Sequence, residues 1–206
     1  MILSDYNRKL PKVVYIFGSG ASIDDYPKNH WDRKFTVGVN MAYKFDEHLD
    51  AIVVSHGTHI EDIQKNHSHL DLFVSRYDST MESKGLNKVD ESSAYIYDSK
   101  GNTGHDIIPD LSLMDESIDN VVITCGDTVC RAIGVFVYLG VKEIRLVGCD
   151  GGNGYNGNMN REGYYNKSVN PSVTVGHANR SMASKSHMIK GLKKYGINIK
   201  FKKPWQ

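Results

Sequence analysis

The sequence predicts an α/β domain with a mostly parallel, doubly wound sheet, and three observations predict it. Val13–Phe17 is a β-branched and aromatic run that stops at Gly18, as a buried strand does when it enters a tight turn. Val121–Thr124, an apolar helical stretch over Asp127–Leu139, and Glu143–Val147 form a strand–helix–strand unit with short joints. The two strands of such a unit are expected to run parallel, with a right-handed crossover. Lastly, four of the expected strands end in small polar groups, which is where an open parallel sheet gathers its ligand. The pattern is Rossmann-like.

The remaining elements follow in order. Phe35–Val39 and Ala51–Ser55 repeat the apolar run, with room for a short helix between Ala21 and His30. Thr58–Asn66 reads as a helix and Asp71–Ser75 as a strand. From Tyr77 to Asp119 the chain is polar and without a clear period, apart from a short strand at Ala94–Tyr97, so it reads as an irregular insertion. Gly140 is placed to cap the apolar helix. The stretch from Gly151 is rich in Gly, Asn and Tyr, so 151–175 is expected to form a flexible lid loop. A final helix at Asn179–Tyr195, capped by Gly196, and a strand at Ile197–Phe201 complete one domain of 206 residues.

Composition narrows the class. With 25 basic and 24 acidic residues the formal net charge is +1, which makes no field that argues for nucleic acid or an anionic membrane. The basic residues are nevertheless uneven: Lys185 to Lys203 holds seven lysines and no acid, read as a solvated helix face and a basic tail. Cys125, Cys130 and Cys149 lie in or beside apolar runs without zinc spacing, which fits a reducing, cytoplasmic setting. No apolar run approaches the roughly 18–20 residues of a membrane span, and the first residues are too polar for a signal peptide.

Chemistry is expected along one sheet edge. Gly18, Ser19, Gly20 and Ser22 follow the first strand, where glycines let the backbone approach a phosphate and a helix start directs N–H groups at it. The third glycine of the dinucleotide fingerprint is replaced by Ile23, and the second strand ends in Asn40 rather than an acid, so an ordinary NAD site is not expected. Ser55 ends the third strand, Gly126, Asp127 and Thr128 open the apolar helix, and Asp150 follows the strand after it. Asp127 or Thr128 is also a good N-cap, which alone would account for both. His177, between the lid and the last helix, suits proton transfer near neutral pH. No two Asp residues have a single residue between them, so the paired-acid metal–diphosphate motif is missing, and no metal site or resident cofactor is expected. A leaving phosphate would be met by backbone N–H groups, lysines, or the lid hydroxyls of Tyr155, Tyr164 and Tyr165.

The order of these pieces resembles a known family. It runs from Gly18-Ser19-Gly20-Ala21-Ser22 through Val39-Asn40, Ser55 and Ile123-Thr124-Cys125-Gly126 to Leu139-Gly140-Val141-Lys142-Glu143-Ile144. Gly148-Cys149-Asp150, a tyrosine-bearing loop and Gly176-His177 follow. The chain thus resembles the bacterial lipooligosaccharide sialyltransferases (glycosyltransferase family 42), and the 6-hydroxymethylpterin pyrophosphokinase-like proteins that share their fold. The resemblance implies metal-independent, inverting transfer from a CMP-sugar to a hydroxyl acceptor. In it the glycine turn and Asn40 hold the nucleotide, His177 is the general base, and lid tyrosines stabilise the departing phosphate. Three rivals stand beside that expectation. One is an Mg-dependent pyrophosphokinase acting on a pterin-like alcohol, with Asp127 or Asp150 on the metal. The others are a glycosyltransferase acting on modified DNA bases and a non-catalytic nucleotide-binding module.

Overall fold

Runs of Val, Ile and Phe with few charges can be covered on both faces, and here they become the centre of a parallel sheet. The computed structural model describes residues 1–18, 20, 26, 31–32, 34–44, 48–55, 57–76, 89–100, 108–116, 118–149 and 171–202. Side chains at 57, 58 and 171–178 are outside that set. The strands are β1 (Val13–Phe17), β2 (Phe35–Val39), β3 (Ala51–Val54), β4 (Asp71–Ser75), β5 (Tyr95–Lys100), β6 (Val121–Ile123), β7 (Glu143–Val147) and β8 (Asn198–Phe201). They form one sheet in the order β6-β5-β4-β3-β2-β1-β7-β8. Every pair is parallel.

Alternate residues feed two cores. Val14, Ile16, Val37 and Val53 point to one face, against α2 (Thr128–Tyr138) and α3 (Pro171–Lys193). Phe17, Ile52, Val54 and Val74 point to the other, with Ile60 and Ile63 of α1 (Gly57–Asn66). Helices on both faces make the sheet doubly wound, as the sequence predicts. The chain steps outward from β1 to β6, then returns to the far side of β1 as β7 and β8. That reversal beside β1 is the switch point at which ligands bind in such sheets.

Three expectations change. The short strand expected at Ala94–Tyr97 within the insertion 77–119 is present but longer, Tyr95–Lys100, and it belongs to the main sheet. The first half of β5 pairs with β4 (Phe73↔Tyr95) and the second half with β6 (Asp98↔Val121). The strand–helix–strand unit keeps its parallel sense, yet β6 and β7 are six places apart in the sheet. In crossing between them, α2 packs against β6, β1, β2 and β3. Finally, α3 starts at Pro171, so 171–175 belong to a helix and not to the lid. Pro is well suited to the first helical position, where its missing N–H costs nothing. Residues 151–170 lie outside the described set.

The crossing helix lies close to β6. A Cβ at Gly134 would stand 1.9 Å from the Ile123 carbonyl oxygen and 2.7 Å from Val122 Cγ1. An alanine would gain about 1 kcal/mol of helix propensity. The clash is with backbone, however, and overpacking of this kind costs about 1–3 kcal/mol or more. We therefore expect Gly134→Ala to lower stability in urea unfolding; a stabilised variant would mean that the contact yields without cost.

Candidate functional site

The carboxyl ends of β2 and β3 and the start of α2 meet at one point. Asn40 follows β2 with a φ of 49°, a left-handed conformation that Asn tolerates better than most residues. From there its amide reaches two neighbours. Asn40 Oδ1 accepts from the Ser55 backbone N–H at 3.1 Å and from the Ser55 hydroxyl at 3.2 Å. Asn40 Nδ2 donates to Thr128 Oγ1 at 3.0 Å, and the Ser55 and Thr128 hydroxyls lie 2.7 Å apart. Three residues distant in sequence thus form one part-buried polar network. If Ser55 donates to Asn40, the network is closed; if it donates to Thr128, the Thr128 proton is free to point outward. The group can therefore offer one hydroxyl donor to a ligand and withdraw it again.

The residue before Thr128 faces the other way. Asp127 is the N-cap of α2, its Oδ1 accepting from the Cys130 N–H at 2.9 Å. Its Oδ2 accepts from Lys185 Nζ at 3.0 Å and from the Ser181 hydroxyl, and Lys185 also donates to Ser181. Lys185 has only 2% of its side chain exposed and Asp127 13%. A buried ammonium is costly unless paired, and the carboxylate at the helix start supplies the charge. Close by, the Cys130 thiol is pushed well above the ordinary thiol range by its hydrogen bond with Cys125, then by burial and the Asp127 charge. Cys130 accordingly stays protonated and behaves as core.

The first glycine turn is used differently from the expectation. Gly18 N–H donates to the Val147 carbonyl at 2.8 Å, and Gly20 N–H to the Gly148 carbonyl at 2.7 Å. A Cβ at Gly18 would lie 2.4 Å from the Gly148 oxygen. The missing side chain thus lets β1 close on the end of β7, and two amides expected to face a phosphate are taken. Gly126, with a φ of 63°, sits in a tight turn in which Asp127 N–H donates to the Cys125 carbonyl at 2.7 Å. In the first turn of α2, Thr128 and Val129 hold the positions whose N–H groups have no intrahelical acceptor.

The structure therefore brings together Asn40, Ser55, Asp127 and Thr128, with Gly18, Gly20 and Gly126 shaping the turns beside them. Ser19, Ser22, Asp150, Tyr155, Tyr164 and Tyr165 lie outside the described residues. The backbone of His177 lies inside α3, one turn before Ser181, and not at the loop–helix junction expected for it. Lys185 opens the stretch expected to form a solvated basic face, and it is buried instead, while Ser181 carries no expectation. The signal was there: Ser181, Lys185, Met188 and Leu192 recur at helical spacing, the last two apolar. Among the described residues no cluster of His, Cys, Asp or Glu could hold a metal ion, and no helix is long and apolar enough to cross a membrane. Compared with protein-family models, curated proteins and solved structures, the chain matches none of them.

Asn40 contributes in two separable ways, through its bonds and through its backbone. Asn40→Gly keeps the left-handed conformation and loses the network, whereas Asn40→Ala loses both. The left-handed strain should cost Ala roughly 1 kcal/mol more than Gly. Chemical denaturation of the two variants measures this, and equal stability would show that the positive φ relaxes on substitution.

Proposed function

We propose that this chain is a nucleotide-dependent transferase that binds a nucleotide sugar along the carboxyl edge of its sheet. The observation that carries the reading is the convergence of Asn40, Ser55 and Thr128 within hydrogen-bond distance beside the switch point. A polar, part-buried network there suits a ribose hydroxyl or a base edge. The Thr128 and Val129 N–H groups lie at the positive end of α2 and suit a phosphate.

Transfer without a metal is the reading favoured over its pyrophosphokinase rival. A metal at Asp127 would have to displace the ammonium and hydroxyl already bonded to its Oδ2. The resemblance to the sialyltransferases supplies the remaining roles. A CMP-sugar is the donor, and His177 accepts the proton of the acceptor hydroxyl. The freed oxygen attacks the anomeric carbon, and the bond from that carbon to the phosphate oxygen breaks as CMP departs.

CMP or UDP added without a divalent ion should raise the melting temperature, by about 2.7 kcal/mol of added stability at a hundred times Kd. Stabilisation by ATP that requires Mg²⁺ would favour the kinase, and no response to any nucleotide the non-catalytic module. His177→Ala should slow transfer by roughly 10²–10⁴-fold with little change in donor affinity. The wild-type rate should rise with pH through a single ionisation, because only neutral imidazole accepts a proton. Activity that survives His177→Ala and is lost on adding EDTA would point to the metal-dependent reaction instead.

A further inference from the structure

We infer that Lys185 is a positioning residue: with Ser181 it clamps Asp127, and so fixes the N-terminal half of α3 against the first turn of α2. The inference rests on the proposed transfer reaction only for the chemical role of His177, which that half carries. It begins with how unevenly α3 is held. Toward its end the helix is anchored by apolar packing, with Met188 and Leu192 fully buried and Gly191 pressed against Leu111. Toward its start, Asn179 and Arg180 are exposed. Among the described side chains, the bonds from Ser181 and Lys185 to Asp127 are the last hold before residues 171–178.

The kind of hold matters. Apolar contacts at Met188 and Leu192 hold the far end of the helix in the core, but they lie one to three turns beyond the clamp and leave the tilt of its first half to other bonds. Hydrogen bonds from two residues one turn apart onto a single carboxylate oxygen are directional. That oxygen is itself fixed, since the other oxygen of Asp127 is bonded to the Cys130 N–H. The ten residues from Pro171 to Arg180 extend the helix by about 15 Å at 1.5 Å per residue, so a small tilt of the axis at the clamp swings the start widely. His177 is four residues before Ser181 and eight before Lys185, along the same slanting stripe of the helix. A buried ion pair is poor evidence for stability, as an apolar residue of similar length would pack the site at least as well. Its directionality is what an apolar residue lacks. The clamp is also joined to the nucleotide edge by one peptide bond, as Asp127 faces α3 while Thr128 faces Asn40 and Ser55.

Hydrogen exchange resolved along α3 tests the clamp without any assumption about substrate. Lys185→Met removes the charge and keeps the apolar stem. Amides in 171–180 should then exchange at least about a hundredfold faster, the lower end of what breaking a buried pair does to a local opening, while those in 188–193 hold. Lys185→Arg, which can still bond the carboxylate, should restore most of the protection. If Lys185→Met alone fails to fold, Asp127→Asn with Lys185→Met leaves no unpaired buried charge and should show the same local loosening. Unchanged exchange in 171–180, or a rise spread evenly along the helix, would overturn the inference. In a CMP-sugar transfer assay, Lys185→Met should lower kcat at least about tenfold and leave the donor KM near wild type. Adding it to His177→Ala should lower the rate no further; a further fall would contradict action through His177. CMP gives the separate reading. If it fails to protect the Thr128 and Val129 amides of the wild-type protein, the nucleotide proposal falls while the clamp still stands or falls on the exchange along α3.

Discussion

One carboxylate joins the two halves of this protein. Asp127 caps α2 through one oxygen and holds Lys185 and Ser181 of α3 through the other. Its energetics are asymmetric. Losing the cap alone costs about 1 kcal/mol, and the favourable field at a helix start adds some tenths more. Leaving Lys185 buried without its partner costs several times as much, about 3–5 kcal/mol, so the carboxylate matters more to α3 than to the start of α2.

The glycine turn after β1 shows how a familiar pattern can serve two ends. Small residues at the switch point are needed wherever a backbone must approach something closely, and the pattern alone does not say what. Here Gly18 approaches the Gly148 carbonyl, and the N–H groups of Gly18 and Gly20 complete the joint between β1 and β7. Under the proposed function, the phosphate-facing role falls to the start of α2 on the same edge. The sequence places Asn40, Ser55 and Thr128 on one edge because strand ends and helix starts share it in any parallel sheet. It cannot assign the individual amides, since pairing between residues 18–20 and 147–148 is a long-range contact with no local signature.

Legibility followed burial and periodicity. The strands Val13–Phe17, Phe35–Val39, Asp71–Ser75 and Glu143–Val147 have the bounds read from sequence, because each is a short apolar run covered on both faces. The strand Tyr95–Lys100 was half missed for a physical reason. Its first half is buried between neighbours, while Asp98, Ser99 and Lys100 pair with β6 near the surface and carry no apolar signal. The start of α3 at Pro171 precedes the expected Asn179 because Val173, Thr174, Val175 and Gly176 are poor helix formers that hide it, although Pro suits a first helical position. Lys185 was misread because charge was taken as a sign of exposure, although its position relative to Met188 and Leu192 puts it on the buried side.

The long crossover explains why the site assembles where it does. Since β5 gives its first half to β4 and its second half to β6, β6 is displaced along the sheet toward its carboxyl edge. A helix that follows such a strand begins beyond the ends of its neighbours and must double back over the sheet to reach β7. Its N-terminus therefore stands above β2 and β3, within reach of Asn40 and Ser55, rather than above the strand it follows. In a βαβ unit between adjacent strands, the helix start would lie beside its own pair and could meet only one of these ends. Carrying α2 across the sheet lets consecutive residues serve different partners, Thr128 the polar network and Asp127 the last helix. The displacement of β6 is thus a condition for the site as much as a detail of topology.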